Sequence, residues 1–564
     1  MPRAEIFNGR ITVETEYRDK DLIRGIPGSK FDGASRMWSV PLTWAHCLQL
    51  RGVFGERLEL GPELEAWGYR ELNERVAPAM LARDYAMDPE SDMPGDQRLY
   101  GYQRAGVSFL RLAGSAILGD EMGTGKTVQT IMTLEDADAY PALVVTPKSV
   151  KGSWAREYER WAPHRKVIVV TGNAPQRRKL LAEPADVYII HWEALRLHSR
   201  IAGYGNIRLE DKDKEPGELN RPWAAVVADE AHRAKEPKSK QTRALWAIGE
   251  SAERRYALTG TPIANHPGDF WALLHFVAPD EWPSKTKFID RYCLTAWNAF
   301  GGVDVIGIRP ERREEFFRIA DPRFLRRSKA IVLRDLPEKV YIRRDVEMTP
   351  KQAKAYKELK GDMLARLDSG SLVVTDSLTE LTRLAQLASA YLEVDGDQAL
   401  LSEPSSKLDE LEELLSDLGD EPVVVFAASR QLIDLADARL VKRGISHVRV
   451  TGSENDTERD WAIRSFQGGH ARVILCTLGA GSEGITLTRA RNLVFLQRSW
   501  SLVQNRQAED RVHRPGAEEH DSIRIFDLVA PGTVEEGVLD ALAAKGDRLE
   551  EVTRDDEALR RLLT

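Results

Sequence analysis

Three groups in this chain combine residue types and spacings that could do chemistry: a lysine after a glycine-rich turn, two adjacent carboxylates, and two arginines three residues apart. The first lies in GDEMGTGKT, residues 119–127. In such a turn successive backbone N–H groups and a helix N-terminus form a cradle for an anion. Lys126 would reach the β- and γ-phosphates of a nucleotide, and the Thr127 hydroxyl would ligate Mg2+. The pattern GxxxxGK(S/T) asks for glycine at position 120, where this chain carries Asp120. The second group is DEAH, residues 229–232, closing the apolar run WAAVVA. A carboxylate at the C-terminal edge of a strand sits where open α/β sheets bind ligands. Asp229 can hold Mg2+ through its water shell, and Glu230 can orient and deprotonate an attacking water. The third is QAEDRVHRPG, residues 507–516, where Arg511 and Arg514 would share one helix face. Alone they read as surface salt-bridge partners. Opposite a phosphate loop they become arginine fingers that neutralise charge developing on the γ-phosphate.

Positioning these groups takes two parallel sheets. SAIL (115–118), ALVV (142–145), KVIVV (166–170), DVYII (186–190), WAAVV (223–227) and YAL (256–258) are apolar without alternation, as expected for strands covered on both faces. PVVVF (422–426), HVRV (447–450), ARVILC (471–476), NLVFL (492–496) and SIRIF (522–526) repeat the rhythm. Two doubly wound α/β lobes follow, with residues 280–400 between them mostly helical, most clearly in TPKQAKAYKELKGDMLARL. Residues before 95 read as a small α+β unit, ended by a polar linker at 84–96.

The 564 residues leave room for three or four domains at roughly 100–200 residues each. Lys and Arg total 80 against 88 Asp and Glu, a formal charge of −8, which excludes a polybasic nucleic-acid coat and leaves only a local stripe. Cys47, Cys293 and Cys476 are too scattered for a disulfide framework, and no Cys/His cluster has zinc spacing. With no signal-peptide core and no run of about 18 apolar residues, a soluble intracellular protein is expected, in cytoplasm and nucleoid or in a nucleus according to its host.

With these groups in order, the chain resembles a Swi/Snf-type superfamily-two helicase-like ATPase from about residue 97 to 550, nearest the annealing-helicase branch. The resemblance implies two RecA-like lobes and a division into 1–95 (HARP-like unit and linker), 96–279 (lobe 1), 280–400 (helical insertion), 401–530 (lobe 2) and 531–564 (C-terminal brace). LYGYQRAGVSFL (99–110) is similar to the Q-motif, which implies that Gln103 reads the adenine edge. ALVVTPKSVKGSWAREYERW (142–161) resembles motif Ia, placing Thr146, Pro147 and Lys148 near a tracked DNA strand. ALTGTPIANHP (257–267) resembles motif III, whose Thr259, Gly260 and Thr261 would couple the γ-phosphate to the lobe interface. FLRRSKAIVLRDLPEK (324–339) is similar to a stretch typical of Swi/Snf-type ATPases. TLGAGSEGITLTRA (477–490) resembles motif V, and IFDLVAPGTVEEGVLDALAAK (525–545) the brace. The implied cofactors are ATP and Mg2+. Implied nucleotide contacts are Gln103, Asp120, Gly123, Thr124, Gly125, Lys126, Thr127, Asp229, His232, Gly484 and Gln507, with Thr127 and Asp229 on the metal. Lys126, Glu230, Arg511 and Arg514 carry catalysis. Implied DNA contacts are Thr146, Lys148, Arg326, Arg327, Thr477 and Trp500. The chain departs from the family at Gly481-Ser482, Trp500-Ser501-Leu502 and Gly516-Ala517, which touches lobe 2 contacts with DNA more than ATP hydrolysis.

IPGSKFDGASRMWSVPLT (26–43) is similar to the HARP-like module through Phe31, Trp38 and Pro41, while a small packing domain with Trp38 in its core stays open. Residues 1–70 balance ten basic against ten acidic groups, so charge does not decide. Residues 323–344 carry eight basic groups, Arg323, Arg326, Arg327, Lys329, Arg334, Lys339, Arg343 and Arg344, against Asp335 and Glu338. Such a strip is either a solvated face or a grip on phosphates. The expectation is an ATP-dependent translocase on double-stranded or branched DNA, acting in fork remodelling or strand annealing, monomeric as its family implies. Two alternatives stay open: a strand-separating helicase or restriction-type motor subunit, and a nucleotide-switched DNA-binding scaffold.

Overall fold

The computed structural model describes all residues except 89–92, 200–216, 261–266, 298–302, 369–373, 396–397, 482–484, 541 and 543–564. It divides into two compact units, one holding Met1–Leu333 and one beginning at Arg334.

The first unit opens with a five-stranded sheet in the order Lys30–Asp32, Met37–Pro41, Arg10–Glu14, Arg3–Phe7, Glu59–Leu60. Its first four strands pair antiparallel. Their alternating inward residues, among them Ala4, Ile11, Val13 and Val40, pack with Leu50 and Phe54 of the helix Trp44–Phe54. Trp38 is half-buried against this core, its ring 5.2 Å from that of Phe31, which is 54% exposed. From here Pro62–Glu71, the π-helical turn Leu72–Val76 and Ala77–Ala86 follow one another without leaving helical geometry. The expected linker at 84–96 therefore begins inside a helix. Ala79, Ala82 and Ala86 are small enough to let that helix lie close on the next, and they pack into a core with Ala105, Phe109 and Leu110. Helix Ala77–Ala86 is thus part of the larger α/β body of this unit.

That body is a seven-stranded sheet in the order Phe324–Leu325, Ala116–Leu118, Ala252–Leu258, Trp223–Asp229, Ala142–Thr146, Val187–His191, Val167–Val169, with every pairing parallel. Helices cover both faces, and a separate apolar cluster fills each side. The second unit repeats the plan with six parallel strands in the order Glu338–Asp345, Ser522–Val529, Asn492–Phe495, Val423–Ala427, Val473–Thr477, His447–Val450. All eleven strands expected from apolar runs are present, so the two doubly wound lobes are as expected.

The edge strands Phe324–Leu325 and Glu338–Asp345 were not expected, because the first is two residues long and the second alternates exposed and half-buried positions. They also correct the reading of 280–400 as one insertion. Helices up to Ala320 pack in the first unit around Phe288 and Phe316. The amphipathic helix, found at Pro350–Asp368, sends Tyr356 into the core of the second. The unit boundary falls within the segment, after Leu333.

Candidate active site

In the first unit the buried strand Ala116–Leu118 runs into a loop that ends in helix Lys126–Asp136. Gly123 and Gly125 both take φ of +81°, open to glycine at no steric cost, and a Cβ on Gly125 would lie 2.3 Å from Gln103 Nε2. Thr124 is buried, and its hydroxyl donates to Glu121 O at 2.8 Å. Lys126 Nζ donates to Asp120 O at 2.8 Å and Glu121 O at 3.0 Å. These carbonyls hold the ammonium group over the loop. Thr127 is half-buried on the first helical turn.

Two expectations change here. Gln103 Nε2 donates to Thr124 O at 3.1 Å, and its Oε1 accepts from Tyr100 N at 3.1 Å. Both ends of the amide are engaged with backbone, so Gln103 braces the loop. Asp120, expected among the nucleotide contacts, is fully buried in an ion pair with Arg327. An anion facing a phosphate would be repelled; the carboxylate instead turns inward to a guanidinium, and only its carbonyl serves the loop.

Strand Trp223–Asp229 ends at the same edge of the sheet, two strands away. Asp229 Oδ2 accepts from Trp154 Nε1 at 2.8 Å and from Thr146 Oγ1 at 3.1 Å, while Oδ1 accepts from Glu230 N at 2.9 Å. Trp192 Nε1 donates to the Asp229 carbonyl at 2.9 Å. Loss of hydration, reinforced by the charge of Glu230, pushes the Asp229 carboxyl up to about 6 against the pull of Trp154, Lys126 and Thr146. A divalent cation would reverse that cost and keep the group ionised. Among the described residues no cluster of three His, Cys, Asp or Glu side chains could hold a metal alone. Mg2+ needs only one or two protein ligands, the rest being water and phosphate, and Asp229 and Thr127 are the expected pair.

Glu230 sits at φ 50°, ψ 48°, a left-handed conformation costly for a non-glycine residue and typical of functional turns. Its carboxylate lies 3.2 Å from His232 Nδ1, which is 3.4 Å from Thr259 Oγ1. His232 therefore lies between Glu230 and Thr259 of the segment that resembles motif III, whose Thr261 lies outside the described residues. The indole donors Trp154 and Trp192 were missed; nothing but residue type marks them in the sequence.

The expected DNA contacts fare unevenly. Thr146 is buried under Asp229 and orients that carboxylate. Arg326 is buried and donates to Gly119 O at 3.0 Å, and Arg327 is fully buried. These three are corrected to interior roles. Thr477 is also buried, at the end of its strand, while Lys148 is exposed and Trp500 is 46% exposed. The basic strip resolves into local pairs: Arg323 with Glu281, Lys339 with Glu509 and Asp510, Arg343 with Asp345 and Glu536, Arg344 with Glu410 and Asp417. Its surplus charge is matched by acids distant in sequence.

In the second unit, helix Leu502–Val512 carries Gln507, which is buried, and Arg511; Arg514 lies beyond the helix end. The shared helix face is thus not the reason the arginines converge. Instead Arg511 Nη1 and Arg514 Nη1 both donate to Ile485 O at 3.3 Å. Glu509, overlooked in the sequence, anchors the helix by accepting from Lys339 Nζ at 3.0 Å, Tyr341 Oη at 2.9 Å and Arg498 Nη1 at 2.9 Å. Gly484 lies outside the described residues.

Comparison with known proteins adds to this geometry. The SNF2-related domain family matches residues 102–390, and the helicase conserved C-terminal domain matches residues 406–516. Chromodomain-helicase-DNA-binding protein 1-like of Mus musculus is 31% identical over 468 residues, which cover 79% of this chain and 49% of that protein. DNA annealing helicase and endonuclease ZRANB3 of Bos taurus is 26% identical over 446 residues, 78% of this chain and 39% of that protein. The chain spans half or less of the length of these relatives. A solved Sulfolobus solfataricus SWI2/SNF2 ATPase core in complex with dsDNA is 26% identical, covering 83% of this chain and 95% of that one with a TM-score of 0.37.

Proposed function

Because the chain belongs to the SNF2-related family of helicase-like ATPases, we propose that it hydrolyses ATP in response to double-stranded DNA and converts hydrolysis into movement along the duplex. One observation carries the reading: a phosphate loop with Lys126 and a carboxylate pair with a strained Glu230 follow parallel strands two apart at the same edge of one sheet. Lys126 and the loop N–H groups bind the phosphates. Asp229 and Thr127 would hold Mg2+, which would supply positive charge against the phosphates. Glu230 takes the proton of the attacking water. Arg511 and Arg514, carried by the other unit, neutralise the charge that builds as the γ-phosphate leaves. Chemistry divided between two units makes hydrolysis depend on their arrangement, and a grip on DNA that follows the arrangement becomes a step.

Fork remodelling or annealing is the finer proposal. It is supported by the small N-terminal sheet, with Phe31 exposed beside Trp38, and by the name of one relative. Among the described residues no helix is long and apolar enough to cross a membrane. The test is displacement of a third strand from a triplex in the presence of ATP, run beside unwinding of a labelled fork. A duplex translocase removes the third strand and leaves the fork paired. Fork unwinding without triplex displacement favours the strand-separating reading, and neither signal with intact DNA binding favours the scaffold.

A further inference from the structure

Segment 324–329 lies along the descending limb of the phosphate loop like an added strand. Gly119 N donates to Leu325 O at 2.7 Å, Glu121 N to Arg327 O at 3.0 Å, and Lys329 N to Glu121 Oε2 at 2.7 Å. At its centre Arg327 has no exposed side-chain surface. Its Nε donates to both Asp120 oxygens, at 3.0 and 3.2 Å, and its Nη2 donates to Asp120 and, at 2.6 Å, to Gln129 Oε1. Nη1 donates to Tyr102 O and, at 3.4 Å, to Ala86 O. One guanidinium thus ties together the loop, the helix that follows it, the helix carrying Gln103, and the end of helix Ala77–Ala86. Space for this fork comes from Gly106, where a Cβ would sit 2.0 Å from Gln129 Oε1 and 2.9 Å from Arg327 Nη2. Six residues after Arg327 the chain leaves the first unit at Leu333.

A buried ion pair is a poor source of net stability, since desolvation cancels much of the attraction, but its geometry is specific. A glycine-rich loop has little side-chain packing to define its path. A rigid fork on its second residue supplies that definition, and it does so from the strand leading into the second unit.

We propose that Arg327 is a positioning residue for ATP turnover: its fork on Asp120 and Gln129 sets the phosphate loop against helix Gly101–Ala113 from the connector that enters the other unit. The inference rests on the ATPase reading above. The test uses the full chain with saturating duplex DNA and measures thermal midpoint, affinity for a fluorescent ATP analogue, and kcat. Asp120→Asn, which keeps shape and removes charge, and Arg327→Lys, which removes the fork, should each lower kcat about 10²-fold, as a misplaced loop does, with affinity falling by about three- to tenfold. Combining them should be no worse than the more damaging single change, because both break one pair. Arg323→Lys trims another largely buried fork, on Glu281, that does not reach the loop; it should lower the thermal midpoint and leave kcat within about twofold. Wild-type kcat in folded Asp120→Asn overturns the inference, as do additive losses in the double variant or an equal loss in Arg323→Lys. If the wild-type chain binds nucleotide without turning it over, the ATPase reading fails, and unaltered affinity in Asp120→Asn then overturns the inference separately.

Discussion

The two parallel sheets grow from the same alternation of apolar strand and helix, yet they put their charges to different use. In the first unit carboxylates stand at strand ends, Asp120 after Ala116–Leu118 and Asp229 closing Trp223–Asp229, each held by donors or a guanidinium. In the second, buried charges join one element to another, as Arg323 and Arg327 also do in the first, but the pairs do not stand beside a phosphate loop: Lys407 to Glu535, Arg498 to Asp527 and Glu509. The arginines assigned to the nucleotide there are half-buried, and both donate to the carbonyl of Ile485. Under the proposed function the difference is a division of labour: the first unit fixes its carboxylates at strand ends for a phosphate and its cation, and the second supplies Arg511 and Arg514 to the transition state.

That division predicts unequal mutant kinetics. Glu230→Gln, in the prepared half, should lower kcat by up to about 10⁴-fold while nucleotide binding persists, since a general base contributes about that much and little to ground-state affinity. Arg511→Ala, in the other half, should lower kcat about 10³-fold and leave ATP affinity within a few fold. A weakened affinity with normal kcat would collapse the distinction, making Arg511 a ground-state ligand. Both are read by steady-state kinetics beside equilibrium binding of the ATP analogue.

Acid should also separate the units. His46 is buried, accepting from the Thr43 hydroxyl at Nδ1 and donating to Pro27 O from Nε2, and burial pushes its pKa down to about 4. A histidine whose folded value lies below its unfolded value of 6.5 costs nothing above 6.5. Below that, the unfolded state binds the extra proton, and stability falls as pH drops toward 4, by about 3 kcal/mol in all. In the second unit Glu421 is drawn down to about 2, chiefly by hydrogen bonding to Arg491. Its contribution is complete above 4.5 and is lost only as pH falls toward 2. Eleven of the thirteen tryptophans precede Arg334, so tryptophan fluorescence in a denaturant titration reports the first unit and should lose midpoint between pH 6.5 and 4. A flat midpoint across that range contradicts the burial assigned to His46.

The smallest effect concerns DNA. Lys148 is exposed at the end of a buried strand, and Lys148→Ala should lower the slope of log affinity against log salt by about one phosphate contact. Arg344→Ala, which breaks pairs with Glu410 and Asp417, should leave that slope unchanged.

Much of this was legible in the residues. Uninterrupted apolar runs located eleven strands, and the motifs located Lys126, Asp229 and Glu230, because loops at strand ends are fixed by short-range backbone needs. What was not legible came from partners distant in sequence. Arg327 meets Asp120 across 207 positions and Arg323 meets Glu281 across 42, so a local count of basic residues, open between a solvated face and a grip on phosphates, gave no sign of these interior pairs. Thr146 was misassigned likewise: its position in a motif says nothing of the Asp229 oxygen above it. The linker read at 84–96 took in the end of helix Ala77–Ala86 because that stretch is polar and turn-rich, whereas the helix's buried face of alanines belongs to lobe 1.

Steady-state ATP hydrolysis by the full chain, with and without duplex DNA and across salt concentrations, tests the central claim most directly when wild type and Glu230→Gln are run together. Hydrolysis that rises with DNA, loses that rise as salt increases, and vanishes in Glu230→Gln while the ATP analogue still binds is the predicted result. Full turnover in Glu230→Gln, or hydrolysis indifferent to DNA at low salt, would contradict it.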